Sequence, residues 1–486
     1  MAPQKPFRVI FVGGGLVGIT AAHMFAQAGI DFVILEQHED LTPQIGSTLT
    51  VIPSTIRIFD QLGILDALRP VLYPLKRTFM ISADDASIIY EVDSNTIIEK
   101  NHGWAVHLTH RPSFVKALYN SLPASTKAKI KVNKRCVKVD ALDDGVRVTC
   151  ADGSVEEGSI VIGSDGVHSR VRQCMQALAM DMQPPDRSQR QKLPYTATYR
   201  MIFGSMPEVP GLMHNTNYEG ASKGVSTQII NGEGQAWFAI FEALDHPISE
   251  RVRYTEEDKR KVLEKWGDLY MAPGWKLRDV YPRRDGEAGM INLEEGILDQ
   301  WSWKRIVCVG DAVRKVEPHA GLGYNSGVPD VVVLVNGLRR LLQTNASPST
   351  EALETLFADY QKERMIDMPT VMDASMQRAR TTAWLTRTHE ILCRYAMPYT
   401  PLIWHTLNNV WSKFIARGPV LDWLDENELP KGKMPYIHYP ASKNKGKNAK
   451  DLRVSKGSGL YGFFFSTGAI LLGTMAATGF RFYRKI

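Results

Sequence analysis

Three short runs, far apart in a chain of 486 residues, carry residue types suited to gripping one dinucleotide. The first is Val12-Gly13-Gly14-Gly15-Leu16-Val17-Gly18, with Glu36 closing the strand-like run Asp31-Phe32-Val33-Ile34-Leu35. Gly13, Gly15 and Gly18 follow the apolar run Arg8-Val9-Ile10-Phe11-Val12 and open a stretch of helical period. In that setting the first glycine permits a tight turn and the second lets a pyrophosphate approach the backbone. The third lets helix pack on strand. The helix start adds free N–H groups and the positive end of a dipole. Glu36 stands where an acid accepts hydrogen bonds from an adenosine ribose. Its charge disfavours a 2′-phosphate, so NADP is a poor occupant of this particular site.

The second run, Gly163-Ser164-Asp165-Gly166-Val167-His168-Ser169-Arg170-Val171-Arg172, lies between the strand Ser159–Ile162 and the next helix. The third follows the buried strand Arg305–Gly310: Asp311 ends it, and Pro318, Gly321, Gly323 and Asn325 come after. A helix is expected from about Val328, with Pro329 in its first turn. Its N-terminus suits a group that carries negative charge. Between the first two runs, His110-Arg111-Pro112-Ser113 reads as a further helix start.

In this order and at these separations, the motifs resemble the class A flavoprotein monooxygenases, from about residue 7 to 380. The resemblance implies bound FAD and an Asp165 turn that serves both FAD and NAD(P)H. It makes Arg111 a phosphate or flavin-edge ligand and Asp311 a partner of the ribityl chain. It lays the loop through Pro318, Gly321, Gly323 and Asn325 against the isoalloxazine ring. Only one GxGxxG is present, which suits a class in which NAD(P)H binds transiently.

Ile45-Gly46-Ser47 with Pro53, Arg57 to Gly63, and Tyr199 to Gly204 narrow the likeness to the fungal indole-diterpenoid and meroterpenoid epoxidases. What that implies is transfer of oxygen from O2 to the terminal double bond of a lipophilic, prenylated intermediate. A membrane-bound terpene cyclase would act downstream. Hydroxylation and Baeyer–Villiger ring expansion stay open, because the same cofactor performs both. Five positions depart from the pattern. Thr50 replaces glycine, Arg314 replaces histidine, and His319-Ala320 stands where asparagine is usual after the proline. Tyr324 replaces glycine or alanine beside the ring. Thr50 and Tyr324 are counted with the cofactor contacts. Tyr324 also motivates another class, a flavin-binding scaffold or cyclase that no longer oxygenates.

The elements needed to position these groups make an α/β fold. A Rossmann-type FAD-binding domain (1–180 and 301–380) is interleaved with an aromatic-hydroxylase-like β-sheet substrate domain (181–300). Aromatic-rich helices (381–430), a basic linker (431–459) and a transmembrane helix (460–480) complete the expected order. Within the sheet, Thr227–Ile230 and Ala236–Phe241 flank Asn231-Gly232-Glu233-Gly234 and read as a hairpin. Tyr218 and Arg200 are the candidate catalytic groups of the pocket, with packing and a satisfied ion pair as the competing readings. In 381–424, Trp384, Trp404, Trp411 and Trp423 alternate with Arg387, Arg394, Lys413 and Arg417. Helices packed on the flavin domain explain this, as does an amphipathic face touching a bilayer.

The bulk numbers leave this reading intact. Apolar residues make up 44% and charged residues 23%, an ordinary globular balance. Five cysteines without a CxxC pair argue against a disulfide framework or structural zinc. The net charge of +6 is concentrated in the tail: from Lys431 onward there are 11 Lys/Arg and one acid. The first 430 residues hold 47 Lys/Arg against 51 acids, which speaks against a nucleic-acid partner. Leu460 to Phe480 is 21 residues without charge, long enough to cross a hydrocarbon core of roughly 30 Å. Six Lys/Arg precede it and three follow. That bias predicts a single-pass anchor with the catalytic domain in the cytosol, the endoplasmic reticulum being the ordinary destination.

Overall fold

Apolar strands without polar alternation need cover on both faces. The first sheet of the computed structural model is built from them. The structure describes residues 6–42, 48–183, 192–427 and 429–444. Arg8–Val12 lies at the centre, parallel to Asp31–Leu35 on one side and Ile160–Gly163 on the other. Ile306–Cys308 and Ile130–Lys131 extend the sheet in parallel, and Ser302–Trp303 closes one edge antiparallel. All three glycine-bearing turns therefore leave from the same end of neighbouring strands, at Val12, Gly163 and Cys308.

A second, eight-stranded sheet runs in the order 314–315, 289–297, 192–206, 236–250, 225–231, 216–222, 77–82, 88–92. The expected hairpin forms, with Val225 opposite Glu242 and Asn231 opposite Ala236. The sheet is wider than the 181–300 segment. Arg77–Ser82 joins it parallel to Thr216–Ser222, bringing Ile88–Val92 with it from the first part of the chain.

One helix begins earlier than expected. It spans Gly323–Thr344, so Pro329 sits inside it and not in its first turn. Further on, Met368–Thr382 packs its Ala379 and Ala383 end on the second sheet. Short helical pieces fill Arg387–Ala416. Residues up to Pro440 make one unit; from Ala441 a second begins, whose described part is the single turn Ala441–Asn444. Among the described residues no helix is long and apolar enough to cross a membrane. The expected span 460–480 lies outside them, as do Ile45-Gly46-Ser47 and most of the basic linker.

Candidate cofactor and substrate site

The three glycines of the first turn do three different things. Gly13 has φ +114°, and a Cβ there would stand 2.4 Å from the Ser164 carbonyl oxygen. The first and second turns thus touch through a missing side chain. A Cβ on Gly18 would lie 2.0 Å from the Gly13 oxygen, so this glycine lets the helix close on the turn. Around Gly15 the Cβ position has no protein atom within 4 Å. Gly15 is also the N-cap of helix Leu16–Ala28 and offers no side-chain cap, leaving that end's N–H groups to a ligand. Glu36 accepts from the Gly14 N–H at 2.7 Å and the His38 N–H at 2.9 Å, holding its carboxylate beside the turn.

Asp165 works within its own turn. Its oxygens accept from the Ser169 hydroxyl at 2.5 Å and from the N–H groups of Arg170 and Val171 at 2.6 and 3.2 Å. Burial pushes its pKa up, and these bonds oppose that shift without cancelling it. Direct cofactor contact by this carboxylate is not what the geometry builds: beside the N-cap Ser169 it takes the first two N–H groups of the helix Arg170–Ala179. Buried Arg172 then ties the second turn to the third, donating to the carbonyls of Val167 and Ala312, both at 2.8 Å.

Asp311 carries the third turn's charge. Lys315 stands 2.6 Å from its carboxylate, and burial lowers the pKa of Arg111 while the Asp311 charge raises it. Beneath them Asp330, fully buried, pairs with Arg314 at 2.6 Å and Arg364 at 2.9 Å. It also accepts from the Gly310 N–H at 2.9 Å. This explains Arg314 in place of histidine: it completes a buried charge cluster that fixes where Asp311 begins.

The following loop is fastened to strand Thr48–Val51. Gly321 has φ +64°, and a Cβ there would meet Thr50 Oγ1 at 2.6 Å. The Asn325 amide donates to the carbonyls of Thr50 and Gly321, each at 2.8 Å. Its oxygen accepts from the Ile52 N–H at 3.2 Å and the Thr55 hydroxyl at 2.8 Å. Asn325 is thus a staple with its amide fully engaged, and Thr50 is its partner through the backbone carbonyl. Tyr324 is the clearest correction. It faces away from the loop, sharing a 2.8 Å hydrogen bond with Thr20 and meeting Phe114 edge-on. A tyrosine here fills the seam between two helices. Gly323, by contrast, is open, with no protein atom within 4 Å of its Cβ position, and its helix has no side-chain cap.

Two open glycines at two uncapped helix starts, with Arg111 and Asp311 between the motifs, suit an extended, twice-phosphorylated ligand. The pyrophosphate fits the first helix end and a reducible ring the second.

The second sheet presents two faces. Toward the loop 317–321 it shows Tyr199, Met201, Ala239, Phe241 and Leu293. Tyr218 and Arg200 point to the opposite face. Tyr218 stacks on Phe79, with ring centroids 5.3 Å apart, and accepts from the Met213 N–H at 3.1 Å. Arg200 is held by Glu242 at 2.7 Å. Lys265 and Trp266 share that carboxylate at 2.8 and 3.0 Å. Strand alternation puts residues one apart on opposite faces, so both catalytic candidates are structural.

What the sequence reading missed lies on the loop side. Glu317, 2% exposed, binds His319 Nδ1 at 2.5 Å; the ring lies 4.0 Å from Phe241, and Nε2 is 3.3 Å from Ser226 Oγ. The Tyr199 hydroxyl, Asn217 Oδ1, Trp237 Nε1 and His110 Nε2 are buried without a protein partner. His110 and Trp237 line one groove with Val71, Tyr73, Ser113, Gly232, Glu233 and Gln235. Buried polar atoms normally find partners, so four unpaired ones on this side leave bonds for a ligand to make. The signal was in Tyr199-Arg200-Met201-Ile202-Phe203, where the aromatic and sulfur side chains recur at every second position.

The family described as FAD binding domain matches residues 7–375 of the chain. The FAD-dependent monooxygenase spyC of Aspergillus fumigatus is 31% identical over 431 residues, 87% of this chain and 89% of that protein. The FAD-dependent monooxygenase srdH of Neurospora crassa is 36% identical over 375 residues, 74% and 83% of the two chains. Among solved structures, Klebsiella pneumoniae HpxO complexed with FAD and uric acid superposes with a TM-score of 0.66 at 18% identity. That match covers 84% of this chain and 97% of the other, and shows the shared fold.

Proposed function

Because the chain belongs to the FAD-binding-domain family and is an FAD-dependent monooxygenase, we propose that it epoxidises the terminal alkene of a prenylated secondary metabolite, with NAD(P)H as reductant. The observation that carries this reading is the composition of the loop-side sheet face. Met201, Ala239, Phe241 and Leu293, packed in part on Ala379 and Ala383, make an apolar face, and Trp237 with Ile230 and Leu108 extends it. Such a wall suits a hydrocarbon chain, and the few polar atoms at its margins suit one oriented head group. Transfer of oxygen to an alkene asks for little acid or base from the protein.

FAD, when bound, supplies the two-electron chemistry that activates O2. The chain's own residues do the rest. Gly15 and the uncapped helix start take the pyrophosphate, Glu36 the ribose, and Arg111 and Asp311 the middle of the cofactor. Gly323 leaves room for the ring at the second helix start, and Gly321 lets the loop close on Thr50. Tyr199 and Trp237 orient the substrate, and the apolar wall keeps water from it. The Leu460–Phe480 stretch anchors the enzyme in the endoplasmic reticulum membrane, beside the cyclase that would consume the epoxide.

A second reading, hydroxylation of a phenolic or enolic ring, is favoured by the Glu317–His319 pair, which could hold the substrate's proton. A non-oxygenating scaffold loses its motive, since Tyr324 fills a helix seam. The deciding experiment supplies NADPH, labelled O2 and a geranylgeranylated or farnesylated aromatic acceptor to the detergent-purified enzyme. A product heavier by one labelled oxygen that opens to a diol in acid supports the epoxide. A phenol of the same mass that resists acid replaces it by hydroxylation.

A further inference from the structure

Exposed aromatic side chains are unevenly placed on this protein. Among the described residues, Tyr395 (71% exposed), Tyr399 (62%) and Trp404 (57%) are the exposed aromatics, and they fall within ten positions of each other. Leu385 and Ile391, 44% and 42% exposed, extend the cluster. Ile391 ends one α-helical piece, Tyr395 lies in the π-helical turn Leu392–Ala396, and Tyr399 is the extended residue before Thr400–Thr406, so shared exposure and not helical register groups them. The other side is used for packing: Cys393, Met397 and Ile403 rest on Met80, Tyr90 and Trp384. The segment is therefore amphipathic in an unusual sense, apolar against the body and aromatic outside.

Its charge is mildly positive: Arg387 and Arg394 stand within it against one acid, Glu390, which Arg394 pairs with, and Lys413 and Arg417, the latter paired with Asp367, follow just beyond. We propose that the helical layer 385–411 is a monotopic membrane-docking face, seated at the headgroup level of an anionic bilayer with Tyr395, Tyr399 and Trp404 inserted. Tyrosine and tryptophan favour that depth because each has an apolar ring and a polar tip. Nearby lysines and arginines add attraction to anionic lipid. Docking here presupposes the membrane anchor proposed above, because the basic linker and the charge-free run Leu460–Phe480 are what select a lipid surface over a protein partner. A lipophilic substrate would then be taken up from the membrane, not from water.

The native thiols permit a direct test on the full-length holoenzyme, because all five cysteines are buried. Single nitroxide labels are introduced through Tyr395→Cys, Tyr399→Cys and Trp404→Cys, with Met180→Cys, 68% exposed on another part of the surface, as the reference. Each variant is first checked for normal flavin absorbance, and any one of the three sites suffices. The proteins are reconstituted with phosphatidylcholine/phosphatidylserine vesicles, floated, and probed with O2 and with a water-soluble nickel complex. Docking predicts an O2-to-nickel accessibility ratio at 395, 399 or 404 at least threefold above that at 180. Flotation with ratios equal to the reference overturns docking and leaves the anchor standing. Shielding from both relaxants means a second copy or another protein covers the face, and also overturns it. Failure to float removes the anchor and the docking face together.

Discussion

Glycine identity at single positions separates binding from folding. Gly13→Ala forces a Cβ against the Ser164 carbonyl and strains a φ of +114°. It should lower both melting temperature and FAD content. Gly15→Ala meets no protein atom within 4 Å, so its melting temperature without cofactor should match wild type while flavin affinity falls at least tenfold. Fluorescence titration with FAD and a thermal scan of apoprotein distinguish the two; equal effects from both would refute the division of labour. The sheet gives a parallel pair. Tyr218→Phe loses one hydrogen bond, at about 1 kcal/mol, and should leave kcat/KM unchanged. Tyr199→Phe removes an unpaired hydroxyl on the substrate side, where burial and then the Glu317 charge raise the phenol's pKa. It should raise KM several-fold with no loss of stability. The opposite pattern would return Tyr218 to the site.

At the level of elements, the glycine turns were legible because each follows an apolar strand and precedes a helix, so spacing and context agree. The hairpin at Asn231-Gly232 was legible for the same reason. Two things were not. Helix Gly323–Thr344 starts five residues before the expected Val328, because nothing local marks a start that is capped by no side chain and contains Pro329. The facing of the second sheet was also misjudged, since a one-residue choice within an alternating strand reverses every side chain. Contacts across the chain decide it: Phe79 stacks on Tyr218 from 139 positions away, a pairing no window of sequence displays. The buried cluster of Asp330, Arg314 and Arg364 is another such long-range arrangement. Removing one member of such a cluster leaves charge unpaired, at a cost of about 3–5 kcal/mol. Asp330→Asn should therefore lower urea stability by that amount and also FAD retention, because it holds the Gly310 N–H ahead of Asp311. Unchanged stability would mean the cluster is not what fixes the turn.

For the whole molecule, the glycine-bearing turns come from residues 13–18, 163–172 and 310–325, and the second sheet joins strands from 77–92 to strands from 192 onward. The first sheet is incomplete without the late strand Ile306–Cys308, and the second without the early strand Arg77–Ser82. Global stability also has a pH signature. His102 is buried with both ring nitrogens unpartnered, and burial, then the nearby Arg57 charge, lowers its pKa to about 4. An unfolded histidine titrates near 6.5, so below that pH the unfolded chain binds a proton the folded one refuses. Stability from this group is full above about pH 6.5 and declines as pH falls toward about 4, by roughly 1–3 kcal/mol. Urea midpoints at pH 7 and pH 5 should show the loss, and His102→Asn should reduce it. An equal slope in the variant would assign the effect elsewhere.

The second sheet also has an evolutionary and practical corollary. Its two faces are written in alternate letters of the same strands, so selectivity can drift without disturbing the scaffold behind it. A combinatorial library restricted to positions 199, 201, 239, 241 and 293 would reshape the loop-side face together with its packing on Ala379 and Ala383. The intervening residues, among them Arg200, Ile202, Ile240 and Glu242, would carry the mutational load of keeping the domain folded. An enzyme built this way can change what it oxidises in steps of two.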